Sequence, residues 1–405
     1  MKFRATRLAP VYLLRAVIAA GVLGIPTTVF AEDSPAKEPP VSGAPADIPG
    51  KKVSKFRDPD DGQIDLSRFL ATPRSFLPIP LVVTEPAVGY GGGLAGMFVR
   101  PRTKAGGEGF AKPNMSVVAG IATENGTKAG LAADVSRWKD DRLKTLLAGG
   151  TGKINLDFYG LGPDGESLDE PVRYSLDFSL ALLQGSWRLK ADSPWSVGLR
   201  YVYSNVEPKL RDESQFPGLA NGIDFEISAP AGVLEFDSRD NVFTPTRGWF
   251  GESVYLVSRE DFGASEDFER FQQVVMTWIP MADRWTLGIR GDYQWSSDGT
   301  PFFLRPYIKL RGVPAMRFQG KEMASAEAEV RWQFYERWSA VAAAGYGAAR
   351  TRNDFFSRTK DVTSAAVGFR YELARKFGLH AGMDVGFSND TTAIYLQVGN
   401  AWFRP

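Results

Sequence analysis

The sequence of 405 residues contains no cysteine and a single histidine. Without cysteine, the chain can form neither a disulfide scaffold nor a thiolate metal site, and it has no cysteine nucleophile. One histidine leaves little room for a zinc or non-haem iron site, which commonly takes about two or three imidazoles. We therefore expect no metal and no cofactor.

The chain also lacks an excess of charge, because 48 Lys and Arg residues face 47 Asp and Glu residues. Nucleic-acid binders usually carry a clear basic excess, so we expect no nucleic-acid partner. Glycine, with 42 residues, and aromatic side chains, at 12%, are by contrast abundant. This aromatic fraction is too high for a disordered chain and indicates a folded protein.

Residues 1–31 are predicted to be a secretory signal peptide. Lys2 and Arg4 belong to a positive start, residues 16–25 are apolar, and Ala31 ends a small-residue cleavage site. The apolar stretch is shorter than the ~20 residues of a membrane helix, and no later run is long and apolar enough to form one. An uncleaved membrane anchor is the alternative. Residues 32–77 are predicted to be a periplasmic proline-rich linker with a short helix at 66–70.

Residues 78–405 alternate between apolar and polar positions with a period of two. In one clear segment, Trp285, Leu287 and Ile289 share one parity, while Thr286 and Arg290 share the other. The apolar faces carry aromatic residues at strand ends, and the polar faces mix charges with glycines. A soluble β-sandwich also alternates, but aromatic girdles and a polar lumen are typical of transmembrane barrels. The pattern predicts an all-β fold, a transmembrane antiparallel barrel of 16 strands.

The connections between these segments alternate in length. Short turns such as 139–141 and 335–336 alternate with long connections such as 207–223 and 297–322. Outer-membrane barrels have short periplasmic turns and long outer loops. We therefore predict a location in the outer membrane of a Gram-negative bacterium, with both ends of the mature chain in the periplasm.

Four segments, in order, resemble the outer-membrane assembly-factor superfamily that includes BamA and TamA, also called the bacterial surface antigen family. The first, 84–93, is similar to the acidic, glycine-rich opening hairpin. The third, 311–320, falls in the sixth outer loop, where the family carries a Val-Arg-Gly-Phe/Tyr motif. The second resembles the family turn before strand nine, and the fourth resembles the β-signal recognised by the assembly machinery. The matching residues are Asp237, Arg239, Asp240, Pro245 and Gly248 in the turn, and Ile394, Leu396, Val398, Gly399 and Trp402 in the β-signal.

The resemblance implies that the sixth loop folds into the lumen and that its arginine meets acids on the inner wall. We assign this loop lock to Arg317 with Glu329 and, as a further partner, Glu327, which alternation places on the lumen face of strand 12. The alternative is a solvated Arg317. The motif departs from the family because glycine does not directly follow Arg317, and Ala343 stands where the family often has a second acid. The family's periplasmic POTRA domains have no counterpart in residues 32–77.

Pro78 and Pro80 lie in the first predicted strand. Proline has no N–H to donate to a strand ladder, so strand 1 should pair poorly with strand 16. This predicts a weak lateral seam of the kind through which relatives are thought to pass clients into the membrane. The alternative is a frayed strand start without functional consequence.

The resemblance implies an assembly or insertion factor for outer-membrane or surface proteins, whose partners are outer-membrane lipids and client proteins. A passive channel or a small-solute or lipid transporter without assembly activity is the alternative. A hydrolase would need His380 beside a serine or an acid such as Asp384. Because alternation turns His380 into the lumen, we expect a hydrogen-bonding role for it and no enzymatic activity.

Overall fold

The computed structural model describes residues 56–70, 75–83, 87–103, 110–158, 172–211, 224–352, 357–389 and 391–402. The predicted signal peptide, most of the linker and the hairpin residues 84–86 lie outside these ranges. The described elements are α1 (Ser67–Leu70), β1 (Ser75–Val83), β2 (Gly91–Thr103), β3 (Phe110–Thr123), β4 (Lys128–Trp138), β5 (Leu143–Phe158), β6 (Val172–Arg188), β7 (Trp195–Leu210), β8 (Phe225–Asp237), β9 (Gly248–Ser258), β10 (Phe268–Ala282), β11 (Trp285–Ser296), β12 (Glu322–Trp332), β13 (Trp338–Arg352), β14 (Ser357–Ala374), β15 (Leu379–Ser388) and β16 (Thr392–Val398).

All sixteen strands belong to one antiparallel sheet, in which each strand lies beside its neighbours in the sequence. The predicted fold class, an all-β barrel of 16 strands, is confirmed. The alternation predicts strands over 128–138, 285–296 and 391–403. The first two agree with β4 and β11, whereas the last strand ends at Val398. Gly399 has a φ of +82°, a conformation favourable to glycine, and it ends the strand there. The only described helices are single short turns, and none could cross a membrane.

The outer face carries a row of tryptophans at one end of the barrel. Each lies where a strand enters or leaves a short turn, and each side chain is exposed. Tryptophan and tyrosine are enriched where membrane meets water, since the ring is apolar and the N–H is polar. The row consists of Trp138, Trp187, Trp195, Trp249, Trp285, Trp332 and Trp338.

The inner face is divided into two parts. The wall formed by β1–β8 is largely apolar and forms one cluster with Phe303 and Met316, which come from the connection between β11 and β12. The wall formed by β11–β15 carries buried polar groups, including Asp292, Glu327 and Asp384. The inner wall is therefore polar on only one side of the barrel, whereas the sequence predicts a polar lumen throughout. Because β1–β8 carry many apolar residues on both faces, their alternation is weaker in the sequence.

The connection 297–321, the sixth outer loop, enters the barrel and contacts both walls. On the apolar side, the Phe302 ring lies 5.3 Å from the Tyr174 ring of β6, and Phe303 lies 5.5 Å from Phe225 of β8. On the opposite side, Ile308 and Leu310 pack with buried residues of β12–β14. The loop therefore fills the interior, as the resemblance implies.

Residues 56–70, which we call the cap, lie against the turns at the tryptophan end. Arg337, from the turn between β12 and β13, donates hydrogen bonds to Asp61 (Nε to Oδ2, 2.6 Å) and to Asp65 (Nη1 to Oδ2, 2.8 Å), and it also binds Asp58. The Arg337 side chain is fully buried. Burying a charge is unfavourable unless it is paired, so these carboxylates hold the cap and the turn together.

The charge state of Asp65 depends on this contact. Burial alone would raise the pKa of its carboxyl, but hydrogen bonds from Ser67 and Arg337 outweigh that effect and lower the pKa from 3.8 to about 2. The same guanidinium lowers the pKa of Asp61, again against the effect of burial. Both shifts mean that the docked cap favours the ionised carboxylates.

We therefore predict that acid releases the cap. A carboxyl with a lowered pKa in the docked state contributes its full stabilisation above its ordinary pKa, and this is lost as the pH falls from about 4 toward about 2. Because the chain has no cysteine, a spin label on Ile64→Cys would report cap mobility across this range. Arg337→Gln should make the label mobile already at pH 7, with the barrel still folded by gel mobility; an immobile label in that variant would contradict the assignment.

Candidate functional site inside the barrel

Arg311 of the sixth loop lies at the centre of a buried ionic cluster. Its Nε donates to Glu327 Oε1 at 2.6 Å, and its Nη1 donates to Glu329 Oε2 at 2.7 Å and to Asp384 Oδ2 at 3.1 Å. The side chains of Arg311 and Asp384 are 0% exposed. Since an enclosed, charge-assisted pair is stronger than a surface pair, these contacts fix the loop against β12 and β15.

Asp384 also binds the strands on either side of β15. Arg370 of β14 forms a bidentate pair with it, from Nη1 to Oδ1 at 2.6 Å and from Nη2 to Oδ2 at 2.9 Å. Gln397 of β16 donates from Nε2 to Oδ2 at 2.7 Å. The second arginine compensates part of the negative charge that three carboxylates place around Arg311. One carboxylate thus connects the loop with the last three strands.

Gly312 lets the loop backbone approach β15 closely. Its φ is +80°, and a Cβ atom there would lie 2.5 Å from the backbone nitrogen of Phe387. Its N–H donates to the Tyr395 hydroxyl at 2.7 Å, and its carbonyl accepts from the Ser388 hydroxyl at 2.9 Å. Both the conformation and the space require glycine directly after the arginine.

The structure corrects the predicted loop arginine. Glu327 and Glu329 face the interior as predicted from alternation, but the arginine that they bind is Arg311 and not Arg317. The guanidinium of Arg317 lies 5.8 Å from the Phe318 ring centre, on a partly exposed stretch. The signal was present in the sequence, because Arg311-Gly312 preserves the adjacent Arg-Gly of the family motif. Asp384 on β15, rather than a residue at Ala343 on β13, supplies the third carboxylate.

The C-terminal Trp402 also belongs to this cluster. Its indole Nε1 donates to Glu327 Oε2 at 2.7 Å, on the carboxylate that also binds Arg311. The ring packs against Trp278 at 5.9 Å and over Gly288, where a Cβ would lie 2.5 Å from it. Trp402 is 2% exposed. The alternation predicts Trp402 within the last strand; it lies instead beyond β16, inside the barrel, where it can satisfy a buried carboxylate.

The other residues of the predicted β-signal remain on or beside β16. Ile394, Leu396 and Val398 share one face of the strand, while Tyr395 and Gln397 on the other face are buried in the interior. Recognition of the first three by an assembly machinery stays a prediction.

The turn before β9 is built around two aspartates. The Asp237 carboxylate accepts two hydrogen bonds of 2.7 Å from Arg239, whose guanidinium lies 4.7 Å from the Phe250 ring centre. Asp240 accepts from the backbone N–H groups of Thr246 at 2.9 Å and Arg247 at 3.1 Å. The motif residues thus satisfy the polar groups of a tight turn.

Two further residues of this motif have clear structural reasons. Gly248 has a φ of +104°, and a Cβ there would lie 2.3 Å from the Ser238 carbonyl oxygen. The Pro245 carbonyl accepts a hydrogen bond of 2.9 Å from Arg331, an inward residue of β12. The turn is thereby connected to the strand that carries Glu327 and Glu329.

The two end strands border one interior. In the ladders of the described residues, β1 pairs with β2 alone, with Pro78 opposite Gly96 and Pro80 opposite Leu94, and β16 pairs with β15 alone. Buried side chains of both end strands nevertheless belong to the same apolar cluster. A role of the two prolines in opening a seam stays a prediction.

His380 lies inside the barrel, with its Nε2 4.0 Å from Glu372 Oε1. The nearby Asp384 is bound by two arginines and a glutamine, as described above, and is not oriented toward the imidazole by any described hydrogen bond. Over the described ranges, no group of three or more His, Cys, Asp or Glu side chains could hold a metal ion.

Comparison with solved structures identifies barrels of the same fold. CdiB from Escherichia coli is 13% identical with a TM-score of 0.56, and the alignment covers 79% of this chain and 61% of CdiB. BamA from Haemophilus ducreyi lacking POTRA domains 1–3 is 10% identical with a TM-score of 0.51, covering 80% of this chain and 70% of that chain. CdiB from Acinetobacter baumannii is 10% identical with a TM-score of 0.52, covering 80% and 59%.

No protein-family model matches the sequence, and no curated protein matches it either. This chain corresponds to about three fifths of the length of the CdiB chains. The resemblance to the superfamily that includes BamA is confirmed at the level of the fold.

We predict that Arg311→Ala destabilises the barrel. The change leaves three carboxylates without their common partner, and breaking a buried ion pair from one side costs roughly 3–5 kcal/mol. Arg317→Ala, the matched control, removes the same charge from the same loop and should cost less than about 1 kcal/mol. Urea unfolding of the refolded barrel in detergent measures both, and equal losses would contradict the assignment to Arg311.

We also predict that Trp402→Phe destabilises the barrel by about 1–3 kcal/mol, since a smaller aromatic ring is kept while a buried carboxylate oxygen of Glu327 loses its donor. Trp249→Phe, on the exposed outer face, serves as the control. Unfolding free energies of Trp402→Phe, Glu327→Gln and the double variant form a thermodynamic cycle. A coupling energy near zero would show that the indole does not bind Glu327.

Proposed function

We propose that this protein is an outer-membrane barrel that assists the insertion or export of outer-membrane or surface proteins. The observation that carries the proposal is the sixth loop, held inside the barrel by Arg311 on three inner-wall carboxylates. The shared fold with CdiB and BamA supports it. The cap would take the place beneath the barrel that POTRA domains take in the superfamily.

The exposed tryptophan row supports a position across the outer membrane. We infer that the row marks the periplasmic interface, because it coincides with the short turns and outer-membrane barrels have short periplasmic turns. The cap lies at the same end, which supports a periplasmic position for the N-terminal part of the mature chain. Strand β16 also ends at the tryptophan end of the barrel, so the residues after it begin there.

The filled interior favours an assembly role over a passive channel. Besides the loop, two inward ion pairs lie deep in the apolar half: Lys144 of β5 binds Glu235 of β8 at 2.7 Å, and Arg200 of β7 lies 3.4 Å from Glu252 of β9. All four side chains are largely buried. A conducting pore needs a continuous wet path lined by accessible polar groups, and the polar groups of these two pairs are buried and bound to one another.

The experiment is depletion of the protein followed by quantitative proteomics of the outer membrane. We expect the loss of a defined set of barrels or surface lipoproteins. Wild type and Arg317→Ala should restore them, and Arg311→Ala should not. Arg311→Lys, which keeps the charge but not the forked geometry, should restore them in part, with barrel amounts checked by gel mobility.

An unchanged outer membrane after depletion would contradict the proposal. Planar-bilayer recording then tests the alternative function, since a passive channel would show a large and steady conductance in the wild type. Low conductance that rises in Arg311→Ala would instead agree with a loop that closes the lumen.

A further inference from the structure

Two lysines at the long-loop end of the barrel form a cationic pair on its outer face. Lys128 begins β4 and lies directly opposite Lys153 in the β4–β5 ladder. Both side chains are exposed, while their neighbours Ala129 and Ile154 are buried in the interior. Since opposite residues of an antiparallel pair share a face, the two ammonium groups project side by side from the outer wall.

Among the described residues, neither lysine of this pair forms an ion pair, taken as an N···O distance of 4.0 Å or less to a carboxylate. The acid next in the ladder, Asp177 of β6, lies opposite Lys153. Its carboxylate is bound by Lys209 at 2.8 Å, and that lysine also binds Glu207 at 2.6 Å. Like charges directly opposite one another destabilise a strand pair, so an external anion would stabilise this one.

An apolar depression begins beside the lysines and continues down the outer wall. The upper part, of about 580 Å³, is lined by Lys128 and by small residues of β2–β5. The adjoining part, of about 560 Å³, is lined mainly by apolar residues of β3–β7. The outward residues include Gly130 and Thr151 in the upper part and Val118, Leu147 and Leu183 in the adjoining part.

The far end of the depression differs from the lysine end. Asp134 lies there, and it accepts hydrogen bonds from the Ser116 hydroxyl at 2.6 Å and the Ser136 hydroxyl at 2.7 Å and pairs with Arg100. Its polar groups therefore have partners within the protein. Six residues separate Lys128 from Asp134, or roughly 20 Å of strand, comparable with the roughly 15 Å of hydrocarbon in one leaflet.

We propose that Lys128 and Lys153 bind the phosphate of an acylated lipid, whose acyl chains lie in this depression. The site combines a pair of lysines that can bind an anion with an apolar surface directly beneath them. This arrangement is complementary to a phosphorylated membrane lipid, whose phosphate lies next to its acyl chains. A lipid in the leaflet on the long-loop side would meet the lysines at headgroup level. That placement rests on the proposed orientation in the outer membrane, whereas the binding chemistry does not.

The test is native mass spectrometry of the purified full chain in detergent. The probes are a bisphosphorylated hexa-acyl glucosamine lipid, its dephosphorylated form, phosphatidylglycerol and inorganic phosphate. We expect binding of the bisphosphorylated lipid to weaken at least tenfold in Lys128→Gln/Lys153→Gln. Lys139→Gln/Lys190→Gln, which removes the same charge at the tryptophan end, should leave it unchanged.

A second variant tests the acyl-chain part of the site. At Gly130 a Cβ would meet only the Ala119 carbonyl oxygen, at 3.7 Å, so the backbone position accepts a side chain and Gly130→Leu should fill the depression. It should weaken binding of both phosphorylated lipids and leave inorganic phosphate unaffected.

Three outcomes would overturn the proposal. Equal binding of the phosphorylated and dephosphorylated lipids would remove the role of the lysines. Inorganic phosphate that binds the pair and is not displaced by lipid would indicate a free-anion site. Displacement of the lipid by an unfolded outer-membrane polypeptide, but not by excess lipid, would indicate a client surface. None of these readouts depends on client assembly, so they are separate from the depletion experiment.

Discussion

The structure depends on a buried arginine that must be surrounded by carboxylates. A guanidinium removed from water is stable only where acids and hydrogen-bond acceptors replace its solvent. Glu327, Glu329 and Asp384 do this for Arg311, and each also restrains another part of the molecule. Through them the loop, the inner wall and Trp402 form one network, in which removing a member leaves a buried polar group without its partner.

The loop contacts two unlike walls, and this explains its composition. Its aromatic residues pack against the apolar β1–β8 side, while Arg311 meets the polar β11–β15 side. A barrel whose interior is partly a packed core resembles a soluble domain in that region, because apolar side chains pack together on the inner side of the sheet. The outer wall of the same half carries the lysine pair above an apolar depression. The same strands thus have a packed apolar surface on their inner face and an apolar depression on their outer face.

Much of the fold was predictable because strand formation leaves a local signal. Alternation with a period of two, interrupted by turn residues, predicts the number of strands, the bounds of β4 and β11, and the inward direction of Glu327 and Glu329. The same signal is weak where both faces are apolar. It also failed at the C-terminus, since the apolar residues after Val398 continue the pattern while Gly399 turns the chain inward.

The sequence by itself determined the strand order, the period of the faces and the chemistry of the turn before β9, because each depends on residues close together in the chain. Only the tertiary structure decided which arginine meets the acids. Arg311 and Arg317 lie six positions apart in one loop, and the choice depends on how closely each backbone segment approaches β15. At Gly312 the approach leaves no room for a Cβ atom and needs a φ of +80°, which glycine allows. Contacts between residues distant in sequence, such as that of Trp402 with Glu327, exist only in the folded barrel.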